Sequence, residues 1–142
     1  MPPVLLDSSV YIDTWRAGEE PVSVSLRLSP HRPTWLSAVV LEELYAGVSR
    51  SDRNVIERLE RDFDRVGRIL VPSLTDWVRA GKLLARLAAQ SGYEWIGQQR
   101  LTNDALIALS AARQGITIIT ANEKDFARLA RFRPFQYEVR SI

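Results

Sequence analysis

Among 142 residues there is no cysteine, one histidine and one methionine, and only Lys82 and Lys124 are lysines. Without cysteine there are no disulfides, thiolate metal sites or cysteine nucleophiles, and the composition suits a reducing compartment. With His31 as the sole imidazole, a Ser-His-Asp triad or a multi-histidine zinc site is hard to assemble. No stretch approaches the roughly 18 uninterrupted apolar residues of a spanning helix. The short apolar run at Met1–Leu6 has no basic flank and stops at Asp7, so it does not read as a signal peptide. A cytoplasmic protein without a membrane partner is expected. The side chains left for chemistry are carboxylates, hydroxyls and arginines.

What is present fits a single domain spanning residues 1–142, with 46% hydrophobic and 25% charged residues. Net charge is +2, yet the sequence pI is 9.3 because almost every basic residue is arginine. The planar guanidinium fork suits phosphate recognition. If acids gather at one place, the remaining surface is more basic than +2 suggests, which leans toward a nucleic-acid partner.

Strand and helix signals alternate along the chain. Pro3–Leu6 reads as a short buried strand, after which Ser8 or Ser9 caps a helix to about Arg16. Gly18–Pro33 fits a short helix or an irregular crossover. Thr34–Ser37 reads as a strand leading into a helix from Ala38 to about Val48. Ser51 or Asp52 opens a helix with Val55, Ile56, Leu59, Phe63 and Val66 at helical spacing. Ile69–Val71 is a strand, and Thr75–Gln90 a helix with Trp77, Leu83, Leu84 and Leu87 inward. Ser91–Arg100 reads as a loop, Thr102 as the cap of a helix ending at Gly115, and Ile116–Thr120 as a buried β-branched strand. Glu123–Arg131 is a short helix and Phe135–Val139 a last strand. This order predicts an α/β three-layer sandwich, its mainly parallel sheet of four or five strands flanked by helices.

Four acids fall where such a fold builds a site, beyond the carboxyl ends of the strands. Asp7 ends the first strand, and Asn122 and Asp125 follow the Ile116–Thr120 strand. At 100° per residue, Glu43 lies at the edge of an apolar helix face, whereas Glu42 points toward water. Asp104 shares a stripe with Ala108 and Ala111, between Leu101 and Ile107. An acid in an apolar stripe is costly unless it is paired or metal-bound. Each acid also has a plainer reading. Asn122 and Asp125 fit a helix-capping pair. Asp104 fits a first-turn acid favoured by the helix dipole. Asp7 fits a strand-end residue turning into a cap, and Glu43 a half-exposed helix residue.

Two carboxylates about 5 Å apart repel by about 3 kcal/mol at an effective dielectric near 20. A cluster of them calls for a cation, and an oxygen-only donor set suits Mg²⁺ or Mn²⁺. Metal-assisted hydrolysis of a phosphodiester is the chemistry such a site supports.

The stretches Leu5-Leu6-Asp7-Ser8-Ser9-Val10, Ser37 to Gly47 with Glu42-Glu43, Asn103-Asp104-Ala105-Leu106-Ile107-Ala108 and Ile119 to Phe126 have a familiar order and spacing. In these the chain resembles the PIN domain ribonucleases, and among them the VapC-type toxins of prokaryotic toxin–antitoxin pairs. The resemblance spans almost the whole chain. It implies a parallel sheet between helices, Mg²⁺- or Mn²⁺-dependent endoribonuclease activity, a homodimer and inhibition by a small cognate antitoxin. It assigns Asp7, Glu43 and Asp104 as the core acids binding the metal. The fourth acid is either replaced by Asn122 or supplied by Asp125. Ser9 stands where the family often has asparagine and keeps a hydroxyl that can orient Asp7 or a metal-bound water. Thr120 matches a hydroxyl position near the site.

Tyr93, Trp95, Gln98, Gln99 and Arg100 suit a groove that stacks the bases and holds the phosphates of single-stranded RNA. In the other reading, Trp95 and Ile96 merely tuck this loop onto the body. Two further functions compete with an RNA nuclease. One is a nuclease on DNA or structured nucleic acid, and the other a binding module that keeps the fold without catalysis.

Overall fold

The first apolar run, β1 (Val4–Leu6), lies in the middle of a five-stranded sheet. Successive strand residues point to opposite faces, yet all three of its side chains are fully buried. Both faces of the sheet are therefore covered, as in the expected three-layer arrangement. The computed structural model describes residues 2–91 and 99–140.

After β1 come α1 (Ser8–Arg16), α2 (Pro21–Leu28), β2 (Thr34–Ser37) and α3 (Ala38–Gly47). A 3-10 turn at Arg50–Asp52 leads into α4 (Arg53–Arg65), followed by β3 (Ile69–Leu70), α5 (Leu74–Ser91) and α6 (Gln99–Arg113). The chain continues through β4 (Thr117–Thr120), α7 (Glu123–Ala130) and β5 (Tyr137–Val139). The strands run in the order β3-β2-β1-β4-β5, and every neighbouring pair is parallel. Leu5 pairs with Trp35 on one side and with Ile118 on the other.

This order creates a crevice. The chain adds β2 and β3 on one side of β1, then places β4 on the other. Between β1 and β4 the connections diverge, and beyond the carboxyl ends of these strands a parallel sheet leaves room for a ligand. Asp7 follows β1, Thr120 ends β4, and the Asp7 amide donates to the Ile119 carbonyl at 3.0 Å.

Gly115 sets the start of β4. At φ +67 it occupies the left-handed region. Its amide donates to Ala112, and that of Ile116 donates to Ala111. This closes α6 with the two reversed bonds of a Schellman turn and delivers Ile116 straight into the sheet.

Several local expectations differ from the structure. Asp7, not Ser8 or Ser9, caps α1. Thr102 lies inside α6, which starts three residues earlier at Gln99. Val66 is past the end of α4 and exposed, and β3 stops before the exposed Val71. Trp77 is 55% exposed rather than inward. The inward stripe of α5 is Asp76, Ala80, Leu83 and Leu87. Asp76 takes the inward place because its carboxylate pairs with Arg113 of α6 at 2.9 Å. It also accepts from the Ser73 amide, while Ser73 Oγ accepts from the Asp76 amide, a reciprocal helix-start box. A buried acid with these partners displaces the neighbouring tryptophan from the core side.

Candidate active site

At the start of α1, Asp7 sits in extended backbone (φ −77, ψ 173) and its Oδ1 accepts from the Ser9 and Val10 amides. Ser9 Oγ also donates to Oδ1. Thr120 Oγ1 donates to Oδ2 at 2.7 Å. Ser9 Oγ accepts from the Ala121 amide, and Thr120 Oγ1 accepts from the Asn122 amide at 2.9 Å. The two hydroxyls thus fasten the end of β4 to the carboxylate that begins α1. Asp7 is only 4% exposed. Burial pushes its carboxyl above the usual aspartate range, and the bonds from Ser9, Thr120 and Val10 pull the other way without cancelling the rise.

Glu43 projects from α3 toward the same place. Glu42 is exposed and Glu43 half-buried, in the order that helix geometry predicts. Burial raises the Glu43 carboxyl; Asn103 and Ser8 hold part of that rise back, and the charges of Asp7 and Glu42 add to it. Its Oε1 is enclosed with no hydrogen-bond partner among the described residues. An orphaned anionic oxygen is costly in a protein interior, and a cation or a proton relieves it.

Asp104 is 7% exposed on α6, along with the buried Leu101, Ile107, Ala108 and Ala111. Because α6 starts at Gln99, Asp104 is past the first turn, where the helix dipole has little hold on an acid. The dipole reading of this residue therefore falls away. Asp125 is half-buried in the first turn of α7. Asn122 occupies the cap position of α7, but its side chain makes no capping hydrogen bond.

An open cleft of about 580 Å³ runs beside these groups. Its walls are Ser8, Ser9, Ile12, Asp13 and Arg16 of α1, Glu42, Glu43, Ala46 and Gly47 of α3, and Asn103 of α6. Asp7, Asp104 and Asp125 are not among the lining residues. Among the described residues, no three carboxylates stand close enough to enclose an ion. The structure thus joins Asp7 to Ser9 and Thr120 and sets Glu43 within reach of Asp7's charge. Of the expected groove, Tyr93, Trp95 and Gln98 lie outside the described residues. Arg100 falls within α6, where a loop was expected.

Sequence reasoning missed Asp13, Arg16 and Asn103 as cleft residues. A signal for the first two was present, since positions 9, 12, 13 and 16 share one face of a helix. Asn103 directly precedes Asp104 in the stretch Asn103-Asp104-Ala105.

The PIN domain family model matches residues 4–132. The chain belongs to the PIN domain family. PIN domains are nucleases that generally use divalent metal ions. Solved structures resemble it over nearly their whole length. A chain of the DNA-bound VapBC from Salmonella typhimurium superposes with TM-score 0.68 at 23% identity, covering 98% of both chains. VapBC2 from Rickettsia felis, bound to a DNA fragment from its promoter, gives 0.68 at 23%, covering 97% of this chain and 98% of that one. VapBC-1 from nontypeable Haemophilus influenzae gives 0.62 at 25%, covering 96% of each. Comparison with curated proteins gave no match. Among the described residues of this PIN domain, no helix is long and apolar enough to cross a membrane.

Proposed function

We propose that this PIN domain is a Mg²⁺- or Mn²⁺-dependent endoribonuclease, the toxin of a VapBC-type pair, restrained by a cognate antitoxin and acting as a homodimer. The observation that carries the nuclease reading is the paired placement of Asp7 and Glu43. One is locked by Ser9 and Thr120 at the mouth of the β1–β4 crevice; the other holds a buried oxygen without a partner among the described residues, in the adjoining cleft. The likeness to VapBC structures supports the toxin and antitoxin assignment, and the family resemblance supports RNA as substrate.

These residues offer the donor chemistry of a hard cation, while the described carboxylates do not enclose one as a group of three. Their donors are all oxygens, and both Asp7 and Glu43 carry carboxyl groups raised by burial, which a cation would bring back to the ionised form. Asp7, Glu43 and Asp104 would hold it, with Asp125 or Asn122 in the fourth place. When bound, the ion supplies activation of a water and stabilisation of charge on the phosphate. The chain's own contribution is orientation. Ser9 and Thr120 fix both oxygens of Asp7, and Asn103 and Ser8 steady Glu43. Arg16 brings positive charge to a cleft otherwise rich in acids, where a phosphodiester backbone has to enter.

The test is cleavage of matched RNA and DNA oligonucleotides by the protein loaded with Mg²⁺ or Mn²⁺. Cleavage of RNA is expected, abolished in Asp7→Asn and Asp104→Asn with the fold intact. Metal-dependent cleavage by both variants would overturn the carboxylate site. Preferential cutting of DNA would replace the ribonuclease reading, and no cutting of either would leave a binding module.

A further inference from the structure

The active cleft does not end at Arg16. A second cavity of about 330 Å³ opens from it, sharing Ile12, Arg16, Glu43 and Gly47. Its inner wall is apolar, made by Trp15, Leu44 and Val48, all of which pack on the core. Its rim is polar, carrying Ser49 and Asp52 from the turn between α3 and α4. We infer that this cavity is a subsite for one unpaired guanine of a single-stranded RNA whose backbone crosses the neighbouring cleft.

Three features support this occupant. Half-buried Trp15 offers an aromatic surface in a cavity larger in volume than a purine, and stacking on aromatic side chains is how proteins hold splayed-out bases. Arg16 lies in both cavities and makes no ion pair among the described residues, so it stands at the joint where a phosphate must pass from one to the other. Asp52 occupies the cap position of α4, yet its side chain does not cap that helix. Instead its Oδ2 accepts from Ser49 Oγ at 3.0 Å, and Oδ1 accepts nothing among the described residues. Guanine presents two adjacent N–H donors on its Watson–Crick edge, and a carboxylate is the side chain whose two acceptors match them. The path from Asp7 and Glu43 past Arg16 to Trp15 would thus read one base beside the scissile phosphate.

The guanine subsite rests on the ribonuclease reading for its role, but its occupancy can be measured without any cleavage. The Trp15 indole N–H signal, assigned by its loss in Trp15→Phe, is followed by NMR in the full chain. The four ribonucleoside 5′-monophosphates are titrated in turn, with ribose 5-phosphate as the control. GMP is expected to move the signal at millimolar concentration, at least about threefold more tightly than the other three. Asp52→Asn, at an exposed turn, is expected to erase that preference while ribose 5-phosphate behaves as before. The subsite is overturned if no nucleotide moves the signal more than ribose 5-phosphate, or if Asp52→Asn leaves the ranking unchanged. It is also overturned if N-acetyl-leucine amide moves the signal and nucleotides do not, which would assign the cavity to a protein side chain. RNA cleavage with a silent Trp15 signal defeats the subsite alone. GMP binding without RNA cleavage defeats the nuclease reading alone.

Discussion

Thr120 donates its hydroxyl hydrogen to Asp7 Oδ2 across 113 positions of sequence, and the same oxygen of Thr120 accepts the amide of Asn122. One side chain therefore orients the acid and shapes the turn into α7. Thr120→Val keeps the volume and removes both roles. Loss of a buried hydrogen bond to a carboxylate costs about 1.5–3 kcal/mol, read as a lower denaturation midpoint. Because that bond lowers the Asp7 carboxyl, its removal raises it further, and the acid limb of the RNA-cleavage profile is expected to move to higher pH. An unmoved limb would mean that Asp7 is not the group titrating.

Asp7 is both a candidate metal ligand and the cap of α1, and two substitutions separate these roles. Asparagine caps as well as aspartate, so Asp7→Asn should keep most of the stability, whereas Asp7→Ala loses the cap together with the Thr120 and Ser9 bonds and should fall by at least the roughly 1.5–3 kcal/mol expected for Thr120→Val. Both should lack cleavage. Equal stability of the two variants would show that the cap contributes little.

Glu43 gives a pH-dependent stability. Its folded carboxyl lies above the ordinary 4.5 through burial, then through the charges of Asp7 and Glu42, despite Asn103 and Ser8. In metal-free protein the native state binds this proton more tightly than the unfolded chain does. The stabilisation is therefore full below about pH 4.5 and is lost as pH rises through the folded value. Glu43→Gln removes that titration, so its melting temperature relative to wild type should climb between about pH 4 and pH 8. A constant offset would contradict the buried-acid assignment.

A cation bound to the folded state adds stability by mass action, about 2.7 kcal/mol at a hundredfold excess over Kd. Mg²⁺ or Mn²⁺ should raise the melting temperature of the wild type at neutral pH, and chelation should reverse the effect. Glu43→Gln and Asp104→Asn should show a clearly smaller rise. For the fourth position, Asn122→Ala and Asp125→Ala are compared in the same assay and in cleavage. If neither lowers either quantity, the site uses three acids.

Away from the cleft, Asp76→Ala removes a buried carboxylate that binds Arg113 and the Ser73 amide. A loss of about 2–3 kcal/mol is expected, with the smaller value favoured by the partial exposure of Arg113. Chemical denaturation measures it, and RNA cleavage per folded molecule should stay unchanged.

Much of the frame was legible because it depends on local rules. The β-branched run Ile116–Thr120, the glycine at 115 and the alternation of strand and helix signals led to an α/β sheet with the acids at its carboxyl edge. The facing of Glu43, Glu42 and Asp104 followed from helix geometry alone. What escaped depends on partners distant in sequence. Trp77 was expected inward because nothing local shows that Asp76 has Arg113 to pair with. Ser9 was read as a cap because its bond from the Ala121 amide exists only once β4 lies beside β1. Arg16 was overlooked because a cleft is made by two helices, and neither one announces the other.

The strand order has a consequence for the timing of synthesis. β1 leaves the ribosome well before its neighbour β4, which is made after β2, β3 and α6. Until Thr120 has left the exit tunnel, Asp7 lacks the neighbour that holds Oδ2, and the crevice has one wall. Fragments released before that point carry the acid without the neighbour that completes its setting. The Asp7–Thr120 pairing therefore closes only after β4 is made, through a contact of long sequence separation whose closure is slow compared with local helix formation.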